Sequence, residues 1–289
     1  MLRITLGFIL FSSTFLSAQN PIDTLEFYAK KMLNDPIESK RLESEERVSF
    51  ILDTLLKSPN SWDISFAQIK SISILTSPDN RFKLYTWNVP LDDGTYYFFG
   101  KVQLHAHRKF PYSVIDLKDA SAEITKASSK ILPADQWFGA LYYNIIRKSS
   151  KRNVYYTLLG WDGNTSMSNK KLIDVMQISS NNIITFGAAI FDDSKRLRNR
   201  VFFEHSERVT MSLRYQENKD WIVFDHLAPS QSSLEGQYEF YGPDFTFDAF
   251  QWEKNRWAFK ANVDVRNEGL NEGKQTKKPE RGLPAPKQK

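Results

Sequence analysis

The sequence predicts a mainly β protein, with antiparallel hairpins in an irregular β-propeller-like or sandwich body preceded by two N-terminal α-helices. Three observations carry this expectation. Apolar residues recur at helical spacing as far as about residue 56, and from about Gln68 the period falls to two. Short polar turns then separate the strand candidates, and parallel strands would need crossovers of about a dozen residues or more. Finally, 21 Phe, 12 Tyr and 7 Trp supply the side chains that favour pleated, half-buried surfaces.

The first helix is expected over residues 22–33, where Ile22, Leu25, Ala29, Met32 and Leu33 form one stripe. Asp35-Pro36-Ile37-Glu38 reads as the start of the second, with Asp as N-cap, Pro at the first helical position and Glu at the third. Val48, Ile51, Leu52, Leu55 and Leu56 make its apolar side, and it ends near Ser58-Pro59-Asn60. Its other side (Lys40, Arg41, Glu43, Glu45, Glu46, Arg47) is expected to face water.

Period two is plainest from Thr95 to His107. Tyr96, Phe98, Gly100, Val102 and Leu104 share one face; Tyr97, Phe99, Lys101, Gln103, His105 and His107 share the other, expected to be exposed. Asp92-Asp93-Gly94 before it is a turn signal. Three further hairpins are expected: Leu141–Ile146 with Val154–Trp161, Val209–Tyr215 with Trp221–His226, and Phe245–Trp252 with Trp257–Val265. The last two place a charged, Asn-containing turn between an aromatic residue and a Trp, a weak internal repeat. Helical interruptions are expected at Ala120–Leu132 and Ser168–Met176. Ser77-Pro78-Asp79-Asn80-Arg81-Phe82 is similar to the turn of bladed propellers, with Asn80 where those repeats carry Gly.

These elements divide the chain into residues 1–18 as a signal peptide, 19–60 as a helical segment, 61–265 as an antiparallel β domain and 266–289 as a disordered basic tail. Met1 to Ala18 has the parts of a secretory signal: Arg3, an apolar run from Ile4 to Phe11, and a small residue at Ala18 before the expected cut. No later apolar stretch has the length of about 18 residues that a membrane helix needs. With no Cys in the chain, an oxidising compartment offers no covalent staple, and packing alone must hold the fold.

The net charge of +5 belongs to the ends. Residues 266–289 hold seven basic and three acidic side chains, so the tail carries +4, and Arg3 supplies the remainder. The body is therefore neutral, which speaks against nucleic acid as a partner. The tail, poor in large apolar residues, is expected to be solvated and to make at most weak contact with an anionic surface.

Several chemistries are excluded by residue type. Without Cys there are no thiolate metal sites, iron–sulfur clusters or thiol nucleophiles. The chain contains no Gly-x-Ser-x-Gly elbow, phosphate loop, Gly-x-Gly-x-x-Gly or His-Glu-x-x-His. No cofactor and no resident metal are expected. His105 and His107 set two imidazoles on one strand face, a start toward a metal site that lacks a third ligand. Asp225-His226 is half of a hydrolase relay without an activated serine.

Trp161-Asp162-Gly163-Asn164-Thr165-Ser166 has Asp, Asn and Ser at alternate positions, like the start of a calcium loop. Met167 and Ile173 stand where that loop needs Gly and Glu. A turn capping a following helix is the expected structure there. The candidate ligand-binding residues are Trp161, Asp162 and Asn164, as a stacking platform with polar neighbours, together with His105 and His107. No catalytic residue is nominated.

The Leu-Ser-Ala-Gln end of the signal and the stretch Tyr155-Tyr-Thr-Leu-Leu-Gly-Trp-Asp-Gly-Asn164 resemble those of exported proteins common in Bacteroidota-type Gram-negative bacteria. The resemblance implies an envelope location and carries no activity. The expected function is a non-enzymatic periplasmic or surface binding or scaffold module for an envelope protein or glycan. The alternative is a hydrolase of envelope glycan or peptide working through Asp and Glu. That alternative requires two carboxylates facing one pocket, one of them with a raised pKa.

Overall fold

The computed structural model describes residues 20–105, 113–150, 153–193 and 196–265. The expected signal segment 1–18, the tail 266–289 and His107 lie outside them. The body is mainly β behind two N-terminal helices, as the change of period predicts.

Helix α1 (Pro21–Asn34) begins with the Asn20 side chain accepting the Ile22 N–H, and buries Leu25, Ala29 and Met32. Helix α2 (Glu38–Leu56) starts later than expected. Asp35 closes α1, its N–H bonded to Lys31 O, while its carboxylate accepts the Ile37 N–H. Asp35 therefore bridges the two helices instead of capping the second, and Ile37 occupies the N-cap position of α2.

Four strands follow: β1 (Ser73–Thr76), β2 (Phe82–Pro90), β3 (Tyr96–Leu104) and β4 (Ser113–Lys118), paired antiparallel in chain order. The second sheet is built from β5 (Leu132–Pro133), β6 (Leu141–Ser150), β7 (Asn153–Asp162), β8 (Ser168–Ile178) and β9 (Ile184–Phe186). The chain then contributes β10 (Phe191–Asp192) and β11 (Leu197–Arg198) to a third sheet, and returns with β12 (Val201–Ser206) to pair with β8. The third sheet is completed by β13 (Leu213–Gln216), β14 (Trp221–Pro229), β15 (Tyr241–Glu253) and β16 (Arg256–Lys260), in the order β11-β10-β16-β15-β14-β13. Named strands pair antiparallel throughout the described residues except β10 with β16.

The layers stack face to face. Leu25, Ala29 and Met32 of α1 and Val48, Leu52 and Leu56 of α2 share a core with Tyr85, Trp87 and Val89 of β2. The opposite face of that sheet (Phe82, Leu84, Phe98, Val102) packs on Tyr142, Tyr156, Leu158 and Leu172 of the second. Leu159, Ile173 and Val175 then face Ile222, Phe224, Phe250 and Trp257 of the third.

Sheets covered on both sides explain the departures from the expected elements. Ser168–Met176 is strand, not helix: Leu172 and Met176 enter one core while Ile173 and Val175 enter the other. A strand buried on both faces loses the alternation that identifies it. Ala120–Leu132 holds two short 3₁₀ turns, Ser121–Glu123 and Ala127–Ser129, in place of a longer helix.

The second face of β3 is likewise covered, where exposure was expected. Gln103 is buried and accepts a hydrogen bond from the Tyr85 hydroxyl at 2.7 Å. Lys101 is buried between Asp53 of α2 at 2.7 Å and Asp116 of β4 at 2.6 Å. The supposed solvent side of α2 is also partly inside. Arg41 reaches Pro90 O and the Asp92 carboxylate, and Glu45 accepts from Ser49 and from the Trp87 indole.

Two turns match their residues. Asn80 takes φ 54°, the left-handed conformation that Asn tolerates where Gly would otherwise stand. The β2–β3 turn closes at Gly94, at φ 84°.

Candidate functional site

Between the first and second sheets, at the edge of their shared core, a groove of about 640 Å³ opens. The ends of β3 and β4 form one wall, with Tyr96, Phe98 and Leu117. The other comes from the end of β7, the following loop and β8, with Asp162, Asn164 and Lys170. The Ser121–Glu123 turn and Phe138 complete it.

Glycine permits the close approach that shapes this mouth. Tyr96 lies against Gly163 so tightly that a Cβ there would fall inside its ring atoms. Its ring also meets Trp161 edge to face, with centroids 5.3 Å apart. The Gly94 turn packs in the same way on Ser166. The β2–β3 hairpin is thus fastened to the loop after β7.

Asp119 is the groove's structural carboxylate. One oxygen accepts from the Phe98 N–H at 3.2 Å; the other takes the Ser121 N–H and hydroxyl and the Gly139 N–H. Four donors leave it little capacity for a ligand.

Asp162 is different. It is 7% exposed, and one oxygen accepts the Asn164 N–H at 2.8 Å. Among the described residues its second oxygen has no hydrogen-bond donor. Burial holds its carboxyl above the ordinary aspartate value, against the pull of the Asn164 N–H and Lys170. Asn164 is itself held inside a network: its amide donates to Ser168 Oγ at 2.7 Å and to Glu204 at 3.0 Å, and its carbonyl accepts from Lys170. Ser168 also donates to Glu204, at 2.7 Å.

The expected loop geometry changes accordingly. Asp162 makes a turn between two strands, with Asn164 at φ 50°, and caps no helix. Trp161 is half-buried against Tyr96 and Phe98, and lines a neighbouring cleft with Thr165, Asn169 and Glu207. Asp162 and Asn164 line the larger groove, while Trp161 does not.

His105 follows β3 at the surface and stacks on Trp62 with centroids 4.3 Å apart. Among the described residues no three side chains of metal-ligating type gather into a site. His226 pairs with Asp248, not with its neighbour Asp225: Nδ1 lies 2.7 Å from the buried carboxylate. Asp225 instead accepts the Ser212 N–H.

Sequence reasoning missed Lys170, Glu204 and Tyr96 as site residues. The adjacent Gly163 was the available signal for Tyr96, since a glycine after a strand marks close approach of another group. Glu204 had none, because β12 reaches β8 only through the fold.

Among the described residues no helix is long and apolar enough to cross a membrane. No protein-family model matches the chain, and comparison with curated proteins and with solved structures likewise gives no match.

Proposed function

We propose that the protein is an exported, non-enzymatic binding module of the cell envelope, and that an envelope glycan or peptide occupies the groove between its first two sheets. The observation that carries this reading is the groove itself: aromatic and apolar side chains (Tyr96, Phe98, Phe138, Leu117) beside a buried carboxylate with one open oxygen. An apolar wall with a few fixed polar groups is the usual composition of a small-ligand site. The leader-like segment Met1–Ala18 supports export, and the missing catalytic signatures support binding over turnover.

Equilibrium titration of the purified protein with envelope glycan and peptide fragments tests it. Binding that Asp162→Asn or Tyr96→Ala weakens at least tenfold, with unchanged circular dichroism, is the expected result. Saturable binding to neither class overturns it. Mass spectrometry of the secreted chain should find Gln19 at the N-terminus; a retained Met1 refutes export by cleavage.

One observation favours the hydrolase reading: the raised carboxyl of Asp162, the condition of a general acid. It needs a second carboxylate with free oxygens, and Asp119 has its own occupied, which leaves Glu123 at the rim. Release of reducing ends from envelope glycan, abolished in both Asp162→Asn and Glu123→Gln, would establish it.

A further inference from the structure

The groove's ligand class can be read from the one acceptor it leaves open, an inference that rests on the binding reading above. Asp162 is more than nine-tenths buried, lines the groove, and offers one oxygen that no described residue donates to. Lys170 does not fill that role. Its ammonium is given to the Asn164 carbonyl and stands 4.0 Å from Glu204. Asp162 is enclosed except where its open oxygen meets the groove, and a charged donor binds such a carboxylate more strongly than a neutral one.

The surrounding charge selects the sign. Asp119, Glu123 and Asp162 line the groove against Lys118 and Lys170, and Glu204 lies behind through its bonds to Asn164. Three lining carboxylates against two lining ammonium groups, with Glu204 behind, favour a cation and oppose an anion. Beside them Tyr96 is partly exposed, the buried Phe98 and Phe138 also line the groove, and Tyr97, 53% exposed, stands at the mouth. Aromatic rings attract both a ligand cation and the apolar face of a sugar ring. The volume of about 640 Å³ exceeds what a lone amine would fill.

We propose that the groove binds a saccharide carrying a free protonated amine, its ammonium on the open oxygen of Asp162 and its apolar ring face on Tyr96. N-acetylation of that amine removes the charge and adds bulk where the carboxylate sits. Protonation of Asp162 in acid removes the partner.

The test is calorimetric titration of the intact protein with three probes: a β-1,4-linked glucosamine disaccharide, its di-N-acetylated form and cadaverine. The expected result is that the free-amine disaccharide binds at least tenfold more tightly than either comparison. Asp162→Asn should erase the preference over the acetylated sugar, and the wild-type preference should shrink as pH is lowered toward the titration of Asp162. Equal or tighter binding of the acetylated sugar overturns the proposal while leaving a glycan-binding function intact. Cadaverine matching the disaccharide removes the saccharide half and overturns it as stated. Absence of binding by the free-amine disaccharide overturns it outright. Should Asp162→Asn not fold, the pH series on the wild type decides, and a pH-independent preference counts against the assignment.

Discussion

Arg200 and Asp174 form an ion pair at the centre of the second sheet in which both side chains are fully enclosed, with Arg200 Nε 2.7 Å from Asp174 Oδ2. The contact is too bent to be a hydrogen bond, and Arg200 Nη2 has no partner among the described residues. Arg200 Nη1 donates to Ala127 O at 2.7 Å, and the Tyr142 hydroxyl lies 3.2 Å from Asp174. The pair thus ties the Ala127–Ser129 turn, the loop before β12 and the middle of β8 together. Removing one partner of such a pair leaves an uncompensated buried charge. Arg200→Met should therefore cost about 3–5 kcal/mol by urea denaturation, and adding Asp174→Leu should recover much of that loss. A single variant within about 1 kcal/mol of wild type would mean that the charge is rehydrated without cost.

Glu45 makes stability depend on pH. Burial raises its carboxyl above the ordinary glutamate value of 4.5, although Ser49 and Trp87 donate to it. Between the unfolded and the folded pKa, the native state therefore holds a proton that the unfolded chain has released. The associated stabilisation is complete below about pH 4.5 and is lost as pH rises through the folded pKa. Glu45→Gln should flatten this part of a denaturation-against-pH curve and raise stability at neutral pH relative to wild type. An unchanged slope would show that Glu45 titrates normally.

Gly163→Ala should push the Tyr96 ring off the loop after β7, because the added Cβ falls among its ring atoms. Overpacking of this kind costs about 1–3 kcal/mol. Thermal denaturation should register that loss. Ligand titration should register a second effect, since Tyr96 belongs to the groove wall. A variant with wild-type melting and binding would contradict the close packing.

Trp257 joins the second and third sheets through its indole N–H, which donates to the Thr157 hydroxyl at 3.0 Å where neither residue is exposed. Trp257→Phe removes that donor and leaves a gap, at a cost of about 1–3 kcal/mol. Equilibrium denaturation should show the loss, and Thr157→Val added to it should cost little more, because the two changes share one interaction. Fully additive losses would mean that the bond contributes nothing.

The expected hairpins are present, with β13 beginning at Leu213 rather than Val209 and β16 ending at Lys260 rather than Val265, and turn chemistry made two connections legible. Asp92-Asp93-Gly94 and Glu253-Lys254-Asn255-Arg256 both lie at strand connections, with Gly94, Lys254 and Asn255 at positive φ. The stacking order of the sheets was not legible, since no residue pattern announces which face meets which. This is why β8 read as a helix, and why Lys101, Gln103, Arg41 and Glu45 read as surface: their partners come from other layers. At the groove, Asp162 and Asn164 stood out through a local turn pattern, whereas Glu204 enters from a strand some forty positions later.

Among the described residues, the parallel pairing of two named strands bears on how the chain acquires its shape. Phe191 of β10 is registered against Trp257 of β16, so the outermost sheet waits for a partner synthesised 66 residues afterwards. The helices and first sheet, by contrast, draw on contiguous chain up to residue 118, and nearly all their pairings join neighbours in order. Loop closure over long separations slows assembly. The part of the chain up to residue 118 has its strand partners close in sequence, whereas among the described residues β10, and β11 through it, are held in their sheet only by the last hairpin.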